Sequence, residues 1–401
     1  MSSFTRDEIA ERAGTSVEEI DQLVSLGVIK PTDGFFSSAD IRRVGIVRSF
    51  VEAGIPLDGL AEALASGKLS LAFVDAAAYD RFPSVSAITF EELSEQTGVP
   101  VELLMMVREV SGSAQPTPQD RVRDNELAVV PFIEMQVAEG FRRSAIERLL
   151  RATGDSLRRI AASEADWWYS EVTGPRVEQG MRPDFTGDVE FTDRISELSE
   201  RALLAIYHGQ QAHAWTRNIV EGFEMAMIQA GLHSRLDRPP AMCFLDITGY
   251  TRLTQERGDM AAAELAGQLG RLVERTSVNY GGRPVKWLGD GVMFWFRDPG
   301  PGVIAALDMV AAVASAGLPP AHVGLHAGPV VFQEGDYYGQ TVNVASRIAD
   351  YARPGEVLVS QAVVEASPDT GASFTEIGPV ELKGVTGPTL LHSAHRSSSL
   401  T

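Results

Sequence analysis

The sequence predicts an α+β protein: an all-α N-terminal region built on helix-turn-helix repeats, then a C-terminal domain of mixed strands and helices. Three observations predict this. Two related stretches near the N-terminus each read as helix, glycine-containing turn, helix. Residues 190–236 carry apolar residues at helical spacing, as long helices would. From residue 241 short apolar runs ending in glycine turns alternate with helical runs, which is a layered arrangement of sheet and helix.

In the repeat, "TRDEIAERAGTSVEEI" begins at Thr5 and "TFEELSEQTGVPVELL" at Thr89. Glu8, Glu11, Gly14, Val17 and Glu18 meet Glu92, Glu95, Gly98, Val101 and Glu102 at a constant offset of 84. Ile9 and Ile20 meet Leu93 and Leu104. A second similarity links "FVEAGIPLDGLAEAL" from Phe50 with "QVAEGFRRSAIERLL" from Gln136, each a pair of apolar-periodic helices around a glycine. These patterns place a first domain at residues 1–75 and its diverged copy at 84–182, with "SGSAQPTPQ" as a loop inside the copy. Residues 183–237 are read as connecting helices, and the double proline of "HSRLDRPPA" closes them.

The C-terminal domain is expected over residues 238–397. "AMCFLDITGYT" is a strand running into Asp246 and a glycine turn, and "AAAELAGQLGRLVERTSVNYGG" is a helix that stops at glycines. "RPVKWLGDGVMFWF" is two strands joined by a turn. "GVIAALDMVAAVASAG" is a second helix, and "AHVGLHAGPVVFQEGDYYGQTVNVASRIADYA" gives strand, loop and helix. "GEVLVSQAVVEAS" and "VELKGVTGPTLLHSA" complete it.

Composition narrows the function classes. The 401 residues allow roughly two to four domains. A hydrophobic content of 44% supports an ordinary buried core. The one cysteine, Cys243, rules out an internal disulfide and suits a reducing compartment. No apolar run approaches the ~18 residues of a membrane span, and "MSSFTRDEIAERAG" carries acids where a signal peptide has its apolar core. A cytoplasmic location is expected. The net charge of -19 opposes non-specific binding to nucleic acid or anionic lipid.

Asp246 and Asp290 sit at the ends of neighbouring strands and would offer hard oxygen ligands to Mg2+ or Mn2+. The amides of Thr248, Gly249 and Tyr250 would face phosphates at a helix start. Taken alone, two aspartates at strand ends are more usually solvated. The ordered set "FLDITGYT", "KWLGDG", "GLHAG" and "GDYYGQTVNVASR" resembles the class III nucleotidyl cyclases, the family of adenylyl and guanylyl cyclases, over about residues 238–396.

The resemblance implies a ferredoxin-like catalytic domain that cyclises ATP on two metal ions, Mg2+ or Mn2+, in a homodimer whose active sites lie between subunits. Asp246 and Asp290 match the metal aspartates, with the Ile247 carbonyl as a further ligand. Lys286 and Asp336 match the pair that reads the purine, and Asn343 and Arg347 the pair that orients the ribose and stabilises the transition state. Lys383, in "LKG", matches a triphosphate contact. A lysine only donates and an ionised aspartate only accepts, so Lys286 with Asp336 suits N1 and the N6 amine of adenine. Guanine has the opposite polarity, and guanylyl cyclases of the family carry a glutamate and a small polar residue there. Trp287 departs from the small or β-branched residue common beside the lysine. His326 is read as a packed turn histidine, and Tyr337, Tyr338, Trp287 and Trp295 as core or interface.

Two further resemblances concern the N-terminal region. "LGVIKPTDGFFSSADIRRVGIVRSFVEAGIPLDGL" resembles the winged helix-turn-helix of the MerR family of transcription regulators. DNA binding is not expected, because residues 1–80 hold 13 Asp and Glu against 7 Lys and Arg. The second copy, through "EELSEQTGVPVELLMMVREVSG" and "AEGFRRSAIERLL", resembles the regulatory domain of soluble, pH-responsive actinobacterial adenylyl cyclases. His208, His213 and His233 are read as surface or interhelical residues, and the regulatory ligand is left open.

Overall fold

A computed structural model describes residues 3–76, 79, 84–179, 189–233, 238–288, 291–368 and 370–397. The chain divides into two compact units, Met1–Met225 and Ala226–Thr401.

In the first unit the two related stretches open with the same cap. Helix α1 (Arg6–Ala13) starts at Thr5, whose hydroxyl accepts from the Glu8 amide while Glu8 reaches back to the Thr5 amide. It stops at Gly14, with φ 66°, a left-handed backbone that glycine adopts without a Cβ penalty. Helices α2 (Val17–Ser25), α3 (Ser38–Glu52) and α4 (Leu57–Ala65) follow. Around them Ile9, Ile20, Phe36, Val44 and Val74 form one core.

In the second copy strand β1 (Val85–Thr89) leads into α5 (Phe90–Thr97), capped by Thr89 and Glu92 and ended by Gly98 at φ 71°. Then come α6 (Val101–Val110), β2 (Arg121–Arg123), the single turn α7 (Asp124–Leu127), α8 (Val130–Ala138) and α9 (Arg143–Trp168). Phe90, Leu103, Leu104, Val122, Ile133 and Ile146 form its core. The antiparallel pair β1–β2 corrects the all-α expectation. The physical reason is local: an N-cap residue needs extended backbone, "VSAIT" is strand-prone, and Val122 is fully buried beside it. The first copy keeps a trace of the same pairing as a Phe4–Phe36 bridge.

Two features bear on nucleic acid. Arg43 on α3 is held by Asp40 at 2.8 Å and Asp75 at 2.6 Å. Arg48 donates to the Gly14 carbonyl at 3.0 Å. Arg43 is thus neutralised within the unit, and Arg48 is tied to its backbone through one nitrogen.

A π turn (Tyr169–Thr173) joins α9 to α10 (Gly174–Glu178). The expected connecting segment contains one 41-residue helix, α11 (Val189–Gln229), on which no described side chain is buried. His208, His213 and, after the helix, His233 are exposed. No described helix is long and apolar enough to cross a membrane.

The second unit opens with β3 (Ala241–Ile247), then α12 (Tyr250–Arg257), α13 (Asp259–Asn279), β4 (Gly282–Leu288), β5 (Gly291–Phe296), α14 (Pro299–Ser315) and β6 (Ala321–Ala327). Next come the short strands β7 (Val331–Gln333) and β8 (Asp336–Tyr338), which pair as a hairpin, and α15 (Gln340–Tyr351). The chain ends with β9 (Val357–Ser360), α16 (Gln361–Ala366), β10 (Ala372–Val380) and β11 (Thr389–Arg396). The seven-stranded sheet runs β10-β11-β9-β6-β3-β5-β4. Its β6-β3-β5-β4 portion is antiparallel throughout, which with α13 and α14 is the βαββαβ of a ferredoxin-like fold.

Strand alternation sorts the two faces. Cys243 and Leu245 of β3, Phe294 of β5 and Val323 and Leu325 of β6 pack with Leu269 and Val273 of α13 and Val303 and Met309 of α14. Met242 and Met293 point the other way, toward Ala345 of α15. Val344 and Ile348 of α15 pack against Leu358, Leu382 and Leu391. Gly324 makes this possible: a Cβ there would lie 2.1 Å from the Ala349 nitrogen, so only glycine lets the helix rest on β6.

A candidate nucleotide site on the α15 face of the sheet

Asp246 alternates with Leu245 and Ile247 and so stands on the α15 face, at the end of β3. Its Oδ1 accepts from the Ile247 amide at 3.1 Å, and its Oδ2 lies 3.8 Å from His322 Nε2. His322 is directly across from it on β6, with Nδ1 3.3 Å from Thr248 Oγ1. Asp290 lies outside the described residues. The next residue, Gly291, pairs with Asp246, and a Cβ on it would come within 3.2 Å of Asp246 Oδ1. Any larger residue there would crowd that carboxylate from the β5 side. Among the described residues no three His, Cys, Asp or Glu side chains converge on one point. The donor set expected here is two carboxylates and a carbonyl, and Asp290 is one of the carboxylates.

The turn after β3 fits an anion in part. Gly249 has φ 80° and caps α12. The Thr248 amide, expected to face phosphate, instead donates to the Pro320 carbonyl at 2.9 Å. That corrects the expectation for Thr248 and leaves the amides of Gly249 and Tyr250 at the helix start, where N–H groups point outward. The Tyr250 hydroxyl donates to the Ala262 carbonyl at 3.1 Å, tying α12 to α13.

Lys286 and Asp336, fifty positions apart, meet as an ion pair between β4 and β8. Lys286 is opposite Met293 in the β4–β5 register, which puts it on the α15 face. Asp336 Oδ1 also accepts from the Tyr337 amide at 2.8 Å, so its carboxylate is held from two sides. The tryptophan next to the lysine turns the other way. Trp287 is opposite Val292, and its indole lies against Gly270 of α13, where a Cβ would approach it to 3.0 Å. It is packed on the far face from Lys286 and leaves the side that carries the lysine clear.

The β7–β8 hairpin that carries Asp336 is anchored by an aromatic cluster. Tyr337 is buried, stacks on Trp295 at 5.8 Å and is bonded through its hydroxyl to Arg283. The Arg283 guanidinium also sits 5.1 Å from the Phe332 ring. Tyr337 and Trp295 therefore have the structural role expected of them, whereas Tyr338 and Trp287 are about half exposed.

Asn343 and Arg347 lie one turn apart on the exposed side of α15. Arg347 pairs with Asp350 at 2.6 Å on the same helix. Lys383 is exposed in the loop between β10 and β11, next to Leu382, which packs with Val344 and Ile348 of α15. His326 lies within β6 rather than in a turn, and its Nδ1 is 2.7 Å from Ser360 Oγ. Burial holds its pKa below the usual histidine value.

Residues 237–394 match the family model of the adenylate and guanylate cyclase catalytic domain. The C-terminal unit carries this match to a cyclase catalytic domain. The chain is 29% identical over 334 residues to the pH-sensitive adenylate cyclase of Mycobacterium tuberculosis, covering 78% of this chain and 79% of that protein. It is 34% identical over 224 residues to an adenylate cyclase of Streptomyces coelicolor, covering 54% of this chain and 55% of the relative. Among solved structures, an adenylate cyclase from Trypanosoma brucei in its monomeric state aligns at 20% identity and a TM-score of 0.37, over 42% of this chain and 93% of that one. The family match and the two named relatives together support an enzyme of the adenylate cyclase kind.

Two groups of the cyclase domain escaped the sequence reading. The alternation of "AHVGLHAG" puts His322 on one face with His326, but only the β3–β6 register sets it beside Asp246. Arg283 carries no motif, and nothing short of the β4–β5 and β7–β8 pairings would have joined it to Tyr337.

Proposed function

We propose that the chain converts ATP to 3′,5′-cyclic AMP and pyrophosphate as a cytoplasmic homodimer, with two equivalent sites and control by the N-terminal unit. The observation that carries the choice of base is the pairing of Lys286 with Asp336. One group donates and the other accepts, which complements adenine N1 and N6 and opposes guanine.

The residues present suit a hard divalent cation. Asp246 is a partly exposed carboxylate at a strand end, beside the backbone of Ile247 and across from a glycine. Mg2+ or Mn2+, two per site on Asp246, the Ile247 carbonyl and Asp290, would acidify the ribose 3′ hydroxyl and offset charge on the leaving pyrophosphate. Lys286 and Asp336 orient the purine. The Asn343 amide holds the ribose so that its 3′ oxygen stands in line with the α-phosphorus. Arg347 supplies fixed positive charge where the transferring phosphoryl group gathers negative charge. The amides of Gly249 and Tyr250, with Lys383, receive the triphosphate.

Dimerisation follows from the family arrangement, in which one subunit supplies the metal aspartates and the other the purine pair, Asn343 and Arg347. Both sets are present once in this chain, so two-fold symmetry gives two complete sites. Misalignment of two subunits would then be enough to switch the enzyme off. The pH sensitivity in the mycobacterial relative's name supports acidity as one signal to examine.

The test is to incubate the purified chain with ATP and Mn2+ and measure cyclic AMP, with GTP as competitor. Steady formation of cyclic AMP that GTP inhibits only weakly is expected. Absence of product, or preferred turnover of GTP, overturns the proposal.

A further inference from the structure

The two copies of the N-terminal repeat enclose a cleft of about 630 Å3. Five arginines line it: Arg42 and Arg48 from α3, Arg108 from α6, and Arg121 and Arg123 from β2. This is unexpected in a chain of net charge -19. The carboxylates nearby neutralise only part of the set. Glu126 takes Arg108 through two bonds of 2.7 and 2.8 Å, both residues being buried. Glu11 takes Arg121 at 3.0 Å. Asp120 also lines the cleft, but its Oδ2 accepts from the Thr117 amide.

Arg48 and Arg123 are different. Arg48 Nη1 donates to the Gly14 carbonyl at 3.0 Å, and Arg123 Nη1 donates to Ser113 Oγ at 2.9 Å. Among the described residues neither has a carboxylate partner. Each is half-buried, each keeps donors beyond these bonds, and they come from opposite copies of the repeat. Gly45, on the same wall as Arg48, has no atom within 4 Å of where a Cβ would stand, so the space beside it is open.

We infer that this cleft binds a small phosphate-bearing molecule and that the ligand bridges the two copies through Arg48 and Arg123. Guanidinium forks match the oxygens of a phosphate, and the match gains strength where solvent is partly excluded. The volume falls within the range of small-ligand sites, about 300–1,000 Å3, and suits a diphosphate or a nucleotide-sized ester. A ligand held from both sides would fix one copy against the other. The site is built from residues of the first unit alone and does not rest on the reaction proposed for the second.

The experiment is calorimetric titration of the full chain with inorganic pyrophosphate in EDTA, which keeps divalent cations from the Asp246 site. Saturable binding at one site per chain is expected. It is retained in R347A, weakened at least ten-fold in R48Q/R123Q, and weakened less in R48K/R123K, which keeps the charge but loses the fork. Far-UV circular dichroism checks that the variants are folded, and the lysine pair stands in if the glutamine pair is not. Equal affinity in the wild type and the folded double variant overturns the inference. So does an equal heat from sodium acetate at matched ionic strength.

Discussion

On the side of the cyclase sheet that meets α13 and α14, alternate positions of β3, β5 and β6 are apolar and wholly buried: Cys243, Leu245, Phe294, Val323 and Leu325. On the side that meets α15, the same strands and their neighbour β4 carry Asp246, Lys286, His322 and His326, with apolar residues where α15 and the β7–β8 hairpin lie. Strands of one sheet thus serve two ends. Two helices can exclude water from a whole face and let its side chains pack closely. One helix, drawn in over Gly324, leaves room at its margins for charged groups that must stay reachable by a ligand. The difference teaches that the residues proposed for the chemistry sit where the fold can least use apolar ones.

The comparison can be broken from either side. The largest effect is expected from Asp246→Ala, which should lower cyclic AMP formation by about 10^4-fold, a little over 5 kcal/mol of barrier. Its melting temperature by circular dichroism should stay close to that of the parent. Activity within a few-fold of the parent would move the metal site elsewhere. On the opposite face, Phe294→Ala removes a fully buried ring. It should cost about 3–5 kcal/mol in urea unfolding, while the molecules that remain folded keep their KM for ATP.

Gly324→Ala joins the two faces. Its Cβ must push α15 off β6, so a loss of about 1–3 kcal/mol should come with a fall in kcat, because Asn343 and Arg347 ride on that helix. A stable variant with parental kcat would show that the position of α15 is not set by that approach.

The smallest effect concerns His326. Its folded pKa is lowered by burial, so its stabilising contribution is complete above the ordinary value of 6.5 and is lost as pH falls toward the folded pKa. Thermal unfolding of the parent should weaken on acidification through that window, and His326→Asn should flatten the slope. An unchanged slope would assign the acid sensitivity to other groups.

The matching helix caps of the two related stretches were legible in particular residues. Thr5 with Glu8 and Thr89 with Glu92 are capping signals readable without any tertiary contact, and Gly14 and Gly98 mark the stops. The pairing of β1 with β2 was not legible, since it joins Val85 to Arg123 across an intervening loop and two helices. In the cyclase domain, the residue types and order of Asp246, Lys286, Asp336, Asn343 and Arg347 were sufficient to name candidate roles. What the Thr248 amide does was hidden, because its acceptor is the carbonyl of Pro320, far along the chain.

By itself the sequence determined the alternation of each strand, the caps of the helices and the chemical types gathered in four ordered motifs. These depend on periodicity and on neighbours within a few positions. The tertiary structure decided which face each alternation serves. It turned Trp287 onto α13 and Lys286 toward Asp336, placed His322 beside Asp246, and brought five arginines around one cleft. Register across a sheet and the packing between repeats join residues dozens of positions apart, and a one-residue slip would reverse every side chain on a strand.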